Sequence, residues 1–176
     1  ALTAAYVLRL LNAPVGRWAH VVAFPLLLAL GAGKIAQVLG GDGQGLASDL
    51  AWATAYKGDG PWGSLVPEMA SHPAQLYEGF LVLLVLQGLT IAGARGAFRA
   101  ADGTALLVGV GAWSMVRFLV AFWWRDAGVL GPIRTEQLLA LALAAACFGI
   151  VVVRRRRRRE AEAVLAEELA ASGAAA

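Results

Sequence analysis

Three charged residues stand inside long apolar stretches of this sequence: Lys34, Glu78 and Arg117. Charge is costly at membrane depth and is kept there for ion pairing or for chemistry. Lys34 lies about one and a half turns, and Arg117 about two turns, before the end of its own stretch. At ~1.5 Å of rise per residue, both come within roughly 10 Å of one and the same interface. A further stretch starts on that side with Ser71-His72-Pro73-Ala74-Gln75-Leu76-Tyr77-Glu78. Pro73 suits the first helical position, which makes His72 the cap. Gln75 and Glu78 are three apart and share a helix face, with Glu78 about one turn inside. His72, Gln75, Tyr77 and Glu78 can thus approach the two cations. Such a set could hold the phosphate of an anionic lipid headgroup, with His72 or Glu78 moving a proton. The plainer alternative is a buried Glu78–Arg117 ion pair with Lys34 snorkelling to the surface. Residue types alone leave both open. Taken singly, His72 reads better as a cap, and Tyr77 as a packing or interfacial residue.

The elements that must position these residues are membrane helices. Of the 176 residues, 59% are hydrophobic and 15% charged, against about 45–50% apolar and about 25% charged in soluble domains. A second apolar solvent is needed, and a bilayer supplies it. Four stretches are long enough to span: about residues 19–39, 75–94, 104–124 and 135–153. The expected fold is an all-α integral membrane protein of about four transmembrane helices, with a short N-terminal apolar segment at 2–11 and a cytoplasmic C-terminal helix at 160–171. Residues 1–153 form the membrane domain and 154–176 an arginine-rich cytoplasmic segment, frayed over 172–176. Arg9 and Arg17, Arg95 and Arg99, and the six arginines at 154–159 all fall on one side of such a bundle. The positive-inside rule makes that side the cytoplasm and the C-terminus cytoplasmic.

The opposite side receives 125–134 and a glycine-rich loop at 40–74. The loop contains Trp52, Tyr56 and Trp62, which, with Trp123 and Trp124, are expected to rest at headgroup level. The arginine run reads as a topology anchor that also attracts anionic lipid. Cys147 is the only cysteine, so no internal disulfide is expected. No segment has the order of a cleavable signal peptide. We expect no metal, no cofactor and no nucleic-acid partner.

The run His72-Pro73-Ala74-Gln75-Leu76-Tyr77-Glu78 resembles the HPxQLYE motif of the prolipoprotein diacylglyceryl transferase family, which also opens a span from the outer face. Gly31-Ala32-Gly33-Lys34-Ile35-Ala36-Gln37 resembles that family's GxGRxGNFxNGE signature. Arg117-Phe118-Leu119-Val120-Ala121-Phe122 is similar to its RxxxEF element, and Gln137-Leu138 to a Gln-Leu opening its last span. Order and spacing agree from about residue 8 to 159. The chain departs from the family pattern at Lys34 (arginine), Gln37 (asparagine) and Ala121 (glutamate). Gly40-Gly41-Asp42 stands where the signature ends in Asn-Gly-Glu. The family's further N-terminal spans, with a functional histidine, have no counterpart, and His20 lies on the other side.

The resemblance implies a multi-pass protein of the bacterial cytoplasmic membrane, transferring a diacylglyceryl group from phosphatidylglycerol to a prolipoprotein cysteine. In that reading Arg117 grips the phosphate and Lys34 assists. Lys34, Gln37, Gln75 and Arg117 form the headgroup site, and Arg117, His72, Glu78 and Tyr77 the catalytic set. The alternative implied by the departures is a non-catalytic lipid-binding or scaffolding subunit, whose partners would be other membrane subunits. A transporter fits poorly, because no pair of broken helices appears.

Overall fold

The computed structural model describes residues 2–126 and 128–173. The fold is all-helical: α1 (Leu2–Leu10), α2 (Val15–Gly40), α3 (Ala74–Ala94), α4 (Thr104–Val120) and α5 (Thr135–Gly173), with a 3₁₀ turn at Ala121–Trp123 after α4. Four of these segments, Val15–Gly40, Ala74–Ala94, Thr104–Trp123 and Thr135–Ala170, are long and apolar enough to cross a membrane. Their surface is arranged for lipid. Leu84 is 65% exposed while Glu78, on the same helix, is fully buried. Apolar side chains therefore point outward, and Gln75, Glu78 and Gln137 are among the largest side chains hidden completely. In water this would be costly; in hydrocarbon it is what polar groups need.

The helices pack as two close pairs, α2 on α3 and α4 on α5, joined through α4. Glycines set the first crossing. A methyl group added at Gly31 would come 3.2 Å from the Gly79 carbonyl, and one at Gly79 would come 3.0 Å from the Gly31 carbonyl. Small residues let helix backbones approach where no hydrophobic force drives them together. Lys34, one turn beyond Gly31, is thereby placed beside Glu78, which precedes Gly79. On α4, Gly109 receives Leu27 and Gly111 receives Phe148. The buried core runs through Ala23, Leu27, Val82, Leu89, Val116 and Val120.

Two local expectations change. Pro73 is the cap of α3 and Ala74 its first helical residue, with no side-chain cap. His72 contributes only its carbonyl, which accepts from the Ala74 amide at 2.8 Å. Proline's fixed φ serves the cap position as well as the first helical one. The helix expected after the arginines forms, but as a continuation of α5, which runs unbroken for 39 residues. Nothing in 154–171 breaks a helix, since no Gly or Pro occurs there. Of the tail expected to fray, residues 172 and 173 are helical; 174–176 lie outside the described residues.

The 41–73 connection is non-helical, as its glycines predict. It is nonetheless folded against the bundle. Gly45 bridges Trp124, and Ser71 bridges both Ala47 and Thr54. The buried Gln44 amide donates to the Thr54 carbonyl at 2.9 Å. Arg125 pins this loop from the far side, its Nε donating to the Gly45 carbonyl at 2.7 Å and its Nη2 to Ser71 Oγ at 2.6 Å. A third donation from Arg125 goes to the Leu65 carbonyl.

Candidate functional site

At the end of the bundle that carries this loop, four charged side chains meet. Glu78 is the centre. Its Oε2 lies 3.2 Å from Lys34 Nζ, and Arg117 Nη1 donates to its two carboxylate oxygens at 3.0 and 3.1 Å. The other amine of Arg117, Nη2, donates to Glu136 Oε2 at 2.9 Å. Trp124 closes the set from above. Lys34 Nζ lies 4.5 Å and Arg117 Cζ 4.6 Å from its ring centroid, within cation–π reach. Two cations and two carboxylates thus balance, and the innermost carboxylate is fully buried and satisfied.

Each member is delivered by a separate helix. Lys34 ends α2, Glu78 begins α3, Arg117 ends α4 and Glu136 begins α5. Because consecutive helices run in opposite directions, one end of the bundle collects all four. Glu136 also stands in the first turn of α5, where a carboxylate suits the helix dipole. Gln137 holds α4 and α5 in register. Its Nε2 donates to the Phe118 carbonyl at 3.2 Å, and its Oε1 accepts from the Arg134 amide at 2.9 Å. Arg134 then donates to the carbonyls of Trp124 at 2.5 Å and Asp126 at 2.6 Å, and to that of Ala121. The turn that aims Trp124 is therefore held by a charged side chain.

The other residues singled out from sequence divide into two groups. Gln37 and Gln75 flank the cluster around Gly43, whose φ of 78° suits glycine; a methyl there would lie 3.6 Å from Gln37 Oε1 and 3.8 Å from Gln75 Cβ. Both amide oxygens are buried without a hydrogen-bond partner among the described residues. Gln75 Nε2 reaches Tyr56 Oη at 3.4 Å. Burial raises the Tyr56 phenol above its ordinary pKa, against the opposing pull of Gln75, so this hydroxyl stays protonated. His72 and Tyr77 form a pair of their own. His72 Nδ1 lies 3.3 Å from Tyr77 Oη, which also accepts from Trp52 Nε1 at 2.8 Å, and Trp123 packs edge-on against Tyr77. Their side-chain hydrogen bonds run to one another and to Trp52 of the loop rather than to Lys34 or Arg117.

The plainer of the two sequence readings, the ion pair, is met in part. The Glu78–Arg117 pair forms, but Lys34 does not snorkel away; it joins the same carboxylate. Glu136, Trp124 and Arg134 were missed as site residues. Glu136 carries a weak signal, an acid next to the Gln137 of a noted motif. In sequence Trp124 is one more headgroup-level aromatic, because its ring direction depends on the 3₁₀ turn. Ala121 offers Arg117 no carboxylate; the second carboxylate on Arg117 comes from Glu136 on α5.

Beside Arg117 a groove of about 220 Å³ opens between α4 and α5, lined by Trp113, Ser114, Arg117, Glu136, Leu139 and Leu143. Its walls are apolar apart from Ser114 and the ion pair. No grouping of three or more His, Cys, Asp or Glu fit for a metal occurs among the described residues.

A multi-pass helical bundle with a charge cluster buried at one end defines a membrane protein with a polar site at interface depth. The chain belongs to the prolipoprotein diacylglyceryl transferase family, whose model matches residues 1–153. Over 92 residues it is 36% identical to a phosphatidylglycerol–prolipoprotein diacylglyceryl transferase of Wolinella succinogenes. That match covers 49% of this chain and 33% of the relative, so it spans about a third of the relative's length. No solved structure matches the chain.

Proposed function

We propose that this chain binds phosphatidylglycerol by its phosphate and serves the transfer of the diacylglyceryl group to a prolipoprotein cysteine. The observation that carries the reading is the convergence of Lys34 and Arg117 on one buried carboxylate at the head of an apolar groove. In the reaction, the cysteine sulfur attacks the glyceryl carbon that bears the phosphate ester. The carbon–oxygen bond breaks, glycerol phosphate leaves with the electron pair, and the thiol proton passes to a base. Lys34 and Arg117 would neutralise the leaving phosphate, a role suited to fixed cations in a site of low dielectric. The partnerless amide oxygens of Gln37 and Gln75 would accept from headgroup hydroxyls. Glu78 would hold the cations in place, and the His72–Tyr77 pair would shape the rim.

The loop end would face away from the cytoplasm, and the arginines at 154–159 would lie within it, in a bacterial cytoplasmic membrane. A second reading is a non-catalytic lipid-binding subunit of a larger membrane assembly. One observation favours it: the His72 imidazole is engaged with Tyr77 rather than aimed at the cation cluster.

The deciding experiment places the purified protein in phosphatidylglycerol vesicles with a lipobox peptide, beside an Arg117→Ala control. A diacylglyceryl mass gain on the peptide that disappears in the control supports transfer. No gain, while an authentic family enzyme is active in the same vesicles, rejects it and leaves the subunit reading.

A further inference from the structure

Arg117 divides its two amines between unlike partners. Nη1 is committed to Glu78, which is fully buried and also held by Lys34. Removing that carboxylate would leave two cations facing each other. Nη2 is held by Glu136, whose side chain is 43% exposed at the mouth of the groove. Such a half-exposed pair is weak, because water can replace either partner. One edge of the guanidinium is therefore structural and the other is exchangeable.

The charge balance says what can exchange. Lys34, Arg117, Glu78 and Glu136 together are neutral, so a phosphodiester monoanion added to all four would leave one uncompensated negative charge. With Glu136 swung out to solvent, the two cations, Glu78 and the phosphodiester balance again. The vacated Nη2 points to the head of a groove walled by Trp113, Leu139 and Leu143, which suits an acyl chain below a phosphate. Nη2 and a phosphate oxygen make a charge-assisted hydrogen bond of the same kind as the one to the carboxylate.

We propose that Glu136 is the exchangeable partner of Arg117: it occupies the phosphate position until the phosphodiester of a membrane lipid displaces it. Glu136 then acts as a built-in competitor that sets how tightly the site holds its lipid. This rests on the phosphate ligand of the proposed function but not on turnover, and binding is what tests it.

The full chain in a phosphate-free maltoside detergent is titrated with short-chain phosphatidylglycerol, diacylglycerol and glycerol phosphate. Glu136→Gln should bind phosphatidylglycerol about two- to fivefold more tightly than the unaltered chain, the size of one half-exposed ion pair. Glu136→Asp, which keeps the charge, should stay within about twofold. Diacylglycerol, without phosphate, should show no difference between the variants. If Glu136 instead only positions Arg117, Glu136→Gln binds equally or less well, and the proposal is overturned. It is also overturned if the gain appears with glycerol phosphate alone and not with the lipid.

The unaltered chain supplies a second reading that needs no variant. Phosphatidylglycerol should raise carbodiimide labelling of Glu136 severalfold while Glu78 stays unlabelled, as mapped by peptide mass spectrometry. Unchanged or reduced labelling of Glu136 would sink the exchange. A tighter Glu136→Gln variant with no peptide modification would reject transfer while leaving the exchange intact; the converse result would do the opposite.

Discussion

Each end of the bundle carries an acidic residue tied to arginine, and the two are built differently. At the loop end, Glu78 is fully buried between Lys34 and Arg117, which are themselves 16% and 21% exposed. At the other end, Asp102 accepts from Arg158 Nη2 at 2.6 Å, with the two side chains 23% and 54% exposed. Arg154 also donates to the Asp102 carbonyl at 3.3 Å. Asp102 Oδ1 accepts from the amide of Thr104, the first residue of α4, at 3.1 Å. Asp102 could be replaced by water at modest cost, whereas the cations around Glu78 would keep only the half-exposed Glu136, on Arg117, and the face of Trp124. The same residue types thus give a positioning cluster at one end and a surface latch at the other, and burial decides which.

The largest test of that contrast is to remove each acid in turn. Glu78→Ala leaves Lys34 and Arg117 with Glu136 as their one remaining carboxylate and should cost about 3–5 kcal/mol, read by unfolding in detergent. Asp102→Ala should cost no more than about 1 kcal/mol. Equal losses would mean that burial does not separate the two ends.

Next in size is the helix crossing. Gly79→Leu should cost about 1–3 kcal/mol by overpacking against α2, and should part Lys34 from Glu78. Crosslinking between cysteines placed on α2 and α3 would report the separation. A stable variant with unchanged crosslinks would show that the Gly31–Gly79 approach does not set the site.

Trp124→Ala should cost about 1–2 kcal/mol through loss of contact with both cations. Trp52→Ala, at an exposed ring that only donates to Tyr77, should cost about half as much or less.

The smallest effect is a pH dependence at the Asp102 end. Burial disfavours ionised Asp102, but the Thr104 hydrogen bonds and the Arg158 charge outweigh it and hold the carboxyl below its ordinary pKa. A depressed pKa means that this stabilisation is present above the unfolded value of about 3.9. It fades as pH falls through the folded value. Asp102→Asn should flatten that acid limb of the stability profile by less than about 1 kcal/mol; an unchanged limb would show that Asp102 does not contribute.

Much of the fold was legible because hydropathy is a local sum. Four apolar stretches, a glycine-rich connection and three basic clusters are read without knowing which residues touch. Lys34, Glu78 and Arg117 were legible for the same reason, since a charge in an apolar run is conspicuous wherever it packs. Glu136 was not, because an acid at a helix start is ordinary in sequence and becomes a site residue only when α4 and α5 pair. The partner of His72 was not legible either: its motif does not say that the ring meets the Tyr77 hydroxyl, at 3.3 Å.

By itself the sequence determined that this chain lives in a bilayer, how many helices cross it, and which charges must find partners there. Each follows from the cost of moving side chains between water and hydrocarbon, a property that residues carry with them. Only the tertiary structure decided which partners they found. Close approach at Gly31 and Gly79 brings Lys34 to Glu78, the α4–α5 pairing brings Glu136 to Arg117, and the Arg134 clamp turns Trp124 over both cations. Those meetings depend on distances between helices remote in sequence, set by backbone contact and by carbonyls that no local pattern reveals.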